Sequence, residues 1–288
     1  MGLRAKKPTK QDSHGRLKAL FFGTAGVGKT TAAIQMPRPY VIDCERGTDH
    51  YGEVIARQDG AVLHASTMAE VIDEVRLLAT TEHDYLTLVI DPFTLLYDQA
   101  LEEGEAKVGA GFNKHFGYAN TLAKRLYKLL VAVDMNVIAI CHAKAQYDKK
   151  SNRIADTFDG WKRLDYLFDL VFEIQRHAKA GDKRVAVVRK TRIDVFPDGA
   201  QFVWSFDELE RRLGKDVLDR RCAAIETASE DEVTRFVGLY HRLTPEDIER
   251  LRINKVVESA DEVADLSRDR VLRGIEVMGR HLNPDTAH

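Results

Sequence analysis

The chain has 288 residues, 44% hydrophobic and 31% charged, with 43 Lys and Arg against 45 Asp and Glu for a net charge of −2. That supplies a core for one large domain or a domain with an appendage, but no global cationic field for nucleic acid, so any such contact must use local patches. No apolar run approaches the about 20 residues of a membrane span, and Cys44, Cys141 and Cys222 are too scattered for a zinc site or disulfide framework.

Residues 1–20 carry six Lys/Arg and one Asp. Residues 1–16 are expected to form a flexible basic arm. Met1–Lys7 lacks the apolar segment of a signal peptide, so a cytoplasmic location is expected. The apolar run Leu17–Phe22 suits a buried strand, and Thr30–Met36 can open a helix. Between them stand Gly23-Thr24-Ala25-Gly26-Val27-Gly28-Lys29-Thr30, the spacing G-x-x-x-x-G-K-T of a phosphate-binding loop, with Thr31 behind it. Gly23, Gly26 and Gly28 let the backbone take positive φ and wrap phosphate with its N–H groups. Lys29 is expected to reach terminal phosphates, and the Thr30 hydroxyl to ligate magnesium. The expected ligand is therefore a nucleoside triphosphate with Mg²⁺, ATP if the chain is an ATPase.

The next strand, Tyr40–Asp43, delivers Asp43 and Glu45 two residues apart on one side of an extended backbone. Glu45 could orient or deprotonate an attacking water, or be a solvated loop charge; Asp43, one pleat deeper, reads as structural. Ala61–Ala65 is a strand. Thr67–Glu70 is a capping box leading into a helix with Met68, Val71, Ile72, Val75 and Leu78 on one face. The strand Leu86–Asp91 ends in an aspartate that could hold magnesium or cap the next helix. Leu122, Leu126, Leu129, Leu130 and Val133 mark a further helix. The strand Asn136–Cys141 is followed by His142, a strand-end residue that could sense a terminal phosphate or be structural.

Three more strands follow: Leu170–Gln175, Arg184–Lys190 and Gln201–Phe206. Lys190 and Arg192 are two apart, hence on one face about 6–7 Å from each other. Two cations there could enter a neighbouring subunit's ATP site, or simply protect a sheet edge. The alternation predicts an α/β fold, a mostly parallel central sheet flanked by helices, with an antiparallel edge extension. After Phe206 the strand signal stops. Capping boxes at Ser229–Glu232, Thr244–Asp247 and Ser259–Glu262 begin expected helices of a small acidic module. Its apolar faces are Val233, Phe236, Val237, Tyr240 and Val271, Ile275, Met278, Leu282. The expected domains are the arm 1–16, a core 17–206 and a helical region 207–288.

Taken together, Asp43-x-Glu45 on the strand after the phosphate loop, Asp91, His142 and Lys190-x-Arg192 resemble the RecA-type core shared by RecA, RadA and DnaB-type helicases. Val41–Glu45 and Ile140–Lys144 are most similar to small phage-encoded RecA-like proteins of single-strand annealing and recombination. The resemblance covers about residues 17–206. It implies an ATPase in which Glu45 activates water, His142 senses γ-phosphate, and Lys190 and Arg192 act in trans within a ring or filament of like subunits. It also implies that the loop after His142, residues 143–163, contacts single-stranded DNA, with Lys144, Lys149, Lys150 and Arg153 as the contacts and Tyr147, Phe158 and Trp161 either stacking bases or anchoring the fold. A single-strand-binding or other recombination protein is an expected partner of the C-terminal helices. Two other readings remain open: a nucleotide-dependent switch or assembly factor without DNA binding, and a small-molecule kinase with Lys190 and Arg192 acting in cis.

Overall fold

The structure is a computed structural model and describes residues 15–148, 151–177, 183–224, 226–251, 253, 257 and 260–283. The chain divides into two units, residues 1–74 with 83–222, and residues 75–82 with 223–288.

The first unit is built on a sheet whose strands follow in the chain as β1 (Lys18–Gly23), β2 (Pro39–Asp43), β3 (Ala61–His64), β4 (Thr87–Asp91), β5 (Asn136–Tyr147), β6 (Arg153–Phe158), β7 (Leu170–His177), β8 (Lys183–Thr191) and β9 (Gln201–Val203). Their spatial order is β3-β2-β4-β5-β1-β7-β8-β9, with β6 on the extension of β5. The strands from β3 to β7 in that order pair in parallel. β8 pairs antiparallel with β7, and β9 with β8, giving the expected antiparallel edge.

β1 and β4 are buried along their whole length. Both faces must therefore be covered, which is why these strands read as unbroken apolar runs. Ala19 and Phe21 enter one cluster with Ala32, Ile34, Val41, Phe172, Phe202 and Trp204. Leu20 and Phe22 point the other way and are equally buried. The connecting helices are α1 (Lys29–Ala33), α2 (Gly52–Arg57), α3 (Met68–Thr80, whose residues from Val75 on belong to the second unit), α4 (Phe93–Val108), α5 (Lys114–Ala132) and α6 (Leu164–Leu167). α4 pairs with α5 and lies on β5.

Several expected boundaries shift, each for a local reason. The last strand stops at Val203 because the Ser205 hydroxyl accepts the Glu208 N–H and starts α7 (Phe206–Leu213), so Phe206 is helical. Leu209 of α7 and Leu218 of α8 (Lys215–Leu218) lie in the same core cluster as Phe21, so the first unit continues past residue 206 to Cys222. The stretch expected as a loop over 143–163 is largely strand. β5 runs on to Tyr147 and folds back through β6, pairing Ala143 with Phe158 and Lys144 with Thr157. His142 is therefore within a strand, at the point where β5 exchanges its partner β1 for β6.

The second unit holds α9 (Glu230–Tyr240), α10 (Pro245–Arg250), a 3-10 turn at Ala260–Asp265, and α11 (Arg268–Leu282). Reciprocal capping boxes form at Ser229/Glu232 and Thr244/Asp247; Ser259 lies outside the described residues. Phe236, Val263, Val271, Ile275 and Met278 make its core, with Val233, Val237, Tyr240 and Leu282 packed against them. Among the described residues, no helix is long and apolar enough to cross a membrane.

Candidate nucleotide site

The Gly23–Thr30 loop leaves β1 at its carboxyl end and enters α1 at Lys29. Gly26 and Gly28 have φ of 72° and 89°, a left-handed backbone that favours glycine. The turn is tightly seated: a Cβ on Gly23 would fall 2.3 Å from the Ile174 carbonyl oxygen of the adjacent β7. Gly28's carbonyl accepts the indole N–H of Trp204 at 2.9 Å, which ties the loop to the far edge of the sheet.

Lys29 is buried, and its ammonium donates to the carbonyls of Gly23 at 3.0 Å and Thr24 at 2.9 Å. Burial draws its pKa below the ordinary lysine value, opposed by the charges of Asp91 and Glu45. The loop thus holds its cation internally, across carbonyls that a phosphate would replace. Thr30 and Asp91 come together from α1 and the end of β4, the hydroxyl donating to the carboxylate at 2.5 Å. Asp91 is pushed up to about 6, first by burial and then by nearby Glu45 and Asp43, while the Thr30 hydrogen bond and Lys29 pull it back. A hydroxyl and a carboxylate side by side are hard oxygen donors, the set that suits magnesium.

Asp43 organises the turn after β2. Its carboxylate accepts the backbone N–H groups of Glu45, Gly47 and Thr48 and the Thr48 hydroxyl. Those bonds hold its pKa below the usual carboxylate value against the opposing effect of burial. Cys44 N–H donates to the Asp91 carbonyl at 2.7 Å, which fixes the Glu45 turn beside the end of β4. The Glu45 carboxylate is half exposed, with Oε2 at 3.8 Å from His142 Nε2. His142 is held through its backbone: its N–H donates to Thr94 Oγ1 at 3.0 Å, and its carbonyl accepts the Asp159 N–H at 2.8 Å. Lys29, Thr30, Glu45, Asp91 and His142 therefore converge at the carboxyl ends of β1, β2 and β4 and at the point where β5 leaves β1, the edge of an open α/β sheet where ligands bind.

The remaining expected residues lie elsewhere. β8 runs antiparallel, so Lys190 and Arg192 fall at the opposite end of the sheet, near the start of β7. Lys190 lies near the end of β8 and Arg192 in the bend just after it, and both are occupied by their own chain. Lys190 Nζ donates to the carbonyls of Asp165 and, at 2.8 Å, Phe168; Arg192 Nη1 donates to Asp169 Oδ1 at 3.1 Å. Lys144 is on the β5–β6 hairpin and pairs with Asp159 at 2.7 Å. Lys149 and Lys150 lie outside the described residues, and the Arg153 backbone stands opposite Tyr147. Trp161 is buried with its ring edge-on to Tyr127, and Phe158 meets Phe22. Tyr147 is 60% exposed.

Sequence reasoning missed two residues at the loop. Arg176 on β7 and Arg184 on β8 reach Gly26 and Gly28. Their only signal was excess charge over residues 176–192, seven Lys/Arg against one Asp; strand register, which brings them to the loop, is not visible there.

The family described as AAA domain, AAA_24, matches residues 16–195. No curated protein matches the chain. Among solved structures, a DnaB-like replicative helicase, described with its interactions with primase, is similar at 12% identity with a TM-score of 0.43, over 66% of this chain and 54% of that one. The chain thus spans about half the length of that helicase.

Proposed function

The chain belongs to the AAA domain family, and from that premise we propose that it is a P-loop ATPase that hydrolyses ATP at subunit interfaces and works on single-stranded DNA in recombination or strand annealing of the phage type. The observation that carries the ATPase reading is the meeting of the Gly23–Thr30 loop with Thr30–Asp91 and Glu45 at one end of the sheet.

In this reading Lys29 leaves the Gly23 and Thr24 carbonyls for the terminal phosphates, and the backbone N–H groups of the loop take the remaining oxygens. Thr30 Oγ1 and the Asp91 carboxylate would hold magnesium, which when bound neutralises phosphate charge. Glu45 orients the attacking water and accepts its proton as the water oxygen bonds to the γ-phosphorus and the bond to the leaving ADP oxygen breaks. His142, beside Glu45, positions that carboxylate and responds when the phosphate departs. Lys190 and Arg192 serve the neighbouring subunit; in an assembly they must exchange their present carbonyl and Asp169 partners for phosphate.

Support for DNA comes from what continues beyond His142. The same strand becomes the β5–β6 hairpin, carrying Lys144 and exposed Tyr147. Beside it a groove of about 610 Å³ is lined by Lys144, Lys162, Arg163 and Phe116, with Asp98 and Asp159 among them. Lys162, Arg163 and the exposed ring of Phe116 in one groove suit an unpaired strand, the cations meeting phosphates and the ring a base. The test is ATP turnover with and without single-stranded DNA, at two salt concentrations. Stimulation that weakens with salt is expected; turnover and assembly state indifferent to DNA would refute this part. The second reading, a nucleotide switch that engages a protein through its C-terminal helices, is favoured by the Lys144–Asp159 pair, which already neutralises one of the hairpin's cations. DNA-indifferent turnover would select it.

A further inference from the structure

Asp91, Glu45 and His142 come from β4, the turn after β2, and β5, all on one side of β1 in the sheet order. On the other side β7 and β8 bring two guanidinium groups to the same loop. Arg176 and Arg184 are direct register partners. Arg176 Nη2 donates to the Gly26 carbonyl at 3.3 Å, and a Cβ on Gly28 would lie 3.2 Å from Arg184 Cδ and 3.3 Å from its Nη1. Trp204 fixes this arrangement at two points. Its indole N–H donates to the Gly28 carbonyl and its backbone N–H to the Arg184 carbonyl, both at 2.9 Å.

Like charges directly across an antiparallel pair oppose each other. Arg176 and Arg184 stand in that relation, and among the described residues neither has a carboxylate partner. Lys190 and Arg192, by contrast, are satisfied by their own chain. An anion received between the two guanidinium groups removes the repulsion. Arginine can grip phosphate with two parallel hydrogen bonds and can lie flat on an aromatic base.

We propose that Arg176 and Arg184 are nucleotide-binding residues acting in cis, holding the end of the nucleotide away from the γ-phosphate, its diphosphate and purine nucleoside. This rests on the reading of residues 23–30 as a nucleoside triphosphate site. With the metal and water groups on the β4–β5 side of the loop, the rest of the nucleotide crosses to the β7–β8 side and meets this pair. Because the contact is with the part common to ATP and ADP, it strengthens both complexes alike.

The experiment is calorimetric titration of the full chain with MgADP and with a slowly hydrolysed MgATP analogue, for the unaltered protein, Arg176→Ala, Arg184→Ala and the double variant. The double variant is expected to weaken both nucleotides by about tenfold or more, and by the same factor. Arg184→Lys, which keeps the charge but not the fork, is expected to fall between. The single variants carry the test if the double variant does not fold. Undiminished affinity in the variants overturns the proposal while leaving the ATPase reading intact. Loss confined to the ATP analogue also overturns it, because it puts the pair at the γ-phosphate. If the unaltered chain binds neither nucleotide, the proposal and the ATPase reading fall together.

Discussion

Replacing Gly28 by alanine tests how the phosphate loop is held. Gly28 has φ of 89°, and a side chain in left-handed backbone costs roughly 1–2 kcal/mol. The added Cβ would also stand 3.2 Å from Arg184 Cδ, so that side chain must yield by a few tenths of an ångström. The loop cannot readily turn away, because Trp204 holds the Gly28 carbonyl and the Ala32 N–H donates to the same oxygen. The strain is therefore borne by the folded state. Gly28→Ala is expected to lose about 1–2 kcal/mol in urea unfolding, a melting drop of roughly 2–8 °C for a unit of this size. Gly52→Ala is the control: a Cβ there meets nothing within 4 Å, so its change should stay within about 0.5 kcal/mol. In a Trp204→Phe background the carbonyl keeps only the longer Ala32 bond and the loop can relax further, so the alanine should cost less stability and the two changes should not add. Equal stability of Gly28→Ala and Gly52→Ala, or strict additivity with Trp204→Phe, would refute the argument.

Two further predictions concern stability. Lys18 is buried with its ammonium on the Val133 and Met135 carbonyls, and burial brings its pKa down to about 7. Between that value and its ordinary 10.5 the unfolded chain holds the extra proton, so Lys18 makes stability rise with pH, by at most about 1.4 kcal/mol per unit, and contributes no slope below about 7. Urea titrations at pH 7 and 8.5 should show that rise, and Lys18→Met should remove it; a variant with the same slope would contradict the assignment. In the second unit, a Cβ on Gly274 would sit 2.2 Å from Phe236 Cε2, whereas Gly279 on the same helix has open space. Overpacking costs about 1–3 kcal/mol and relief of a helical glycine returns about 1. Gly274→Ala should therefore melt below the unaltered protein and Gly279→Ala above it; the reverse order would refute the α9–α11 packing.

What the sequence made legible was local. The unbroken apolar runs of β1 and β4 announced strands covered on both faces, and the glycine spacing announced the loop between β1 and α1. The capping boxes at Ser229 and Thr244 appear where the residues placed them. Another such signal, Ser205-Phe206-Asp207-Glu208, is masked in the sequence by the apolar strand that runs straight into it, and it is what ends β9. The β5–β6 hairpin was obscured because its second strand, Arg153–Phe158, mixes charge with apolar residues and gains its order by pairing with β5 rather than from a buried run.

The site was legible where chemistry sits in one segment and hidden where register decides. Glu45 and Asp91 stand at the ends of adjacent strands, paired Asp43 to Asp91, so reading each strand end was enough to bring them together. The direction of β8 carries Lys190 and Arg192 away from the loop and carries Arg184 to it. The antiparallel edge is legible in the sequence, but the register that sets Arg184 opposite Arg176 beside the loop is not.

The central claim is that this site turns over ATP with Glu45 handling the water. It is tested most directly by phosphate release from MgATP alongside nucleotide affinity, for the unaltered chain and for Glu45→Gln. The account predicts turnover in the first, and in the second a loss of about 10²-fold or more in kcat with ATP still bound. Turnover by Glu45→Gln at the unaltered rate would contradict it.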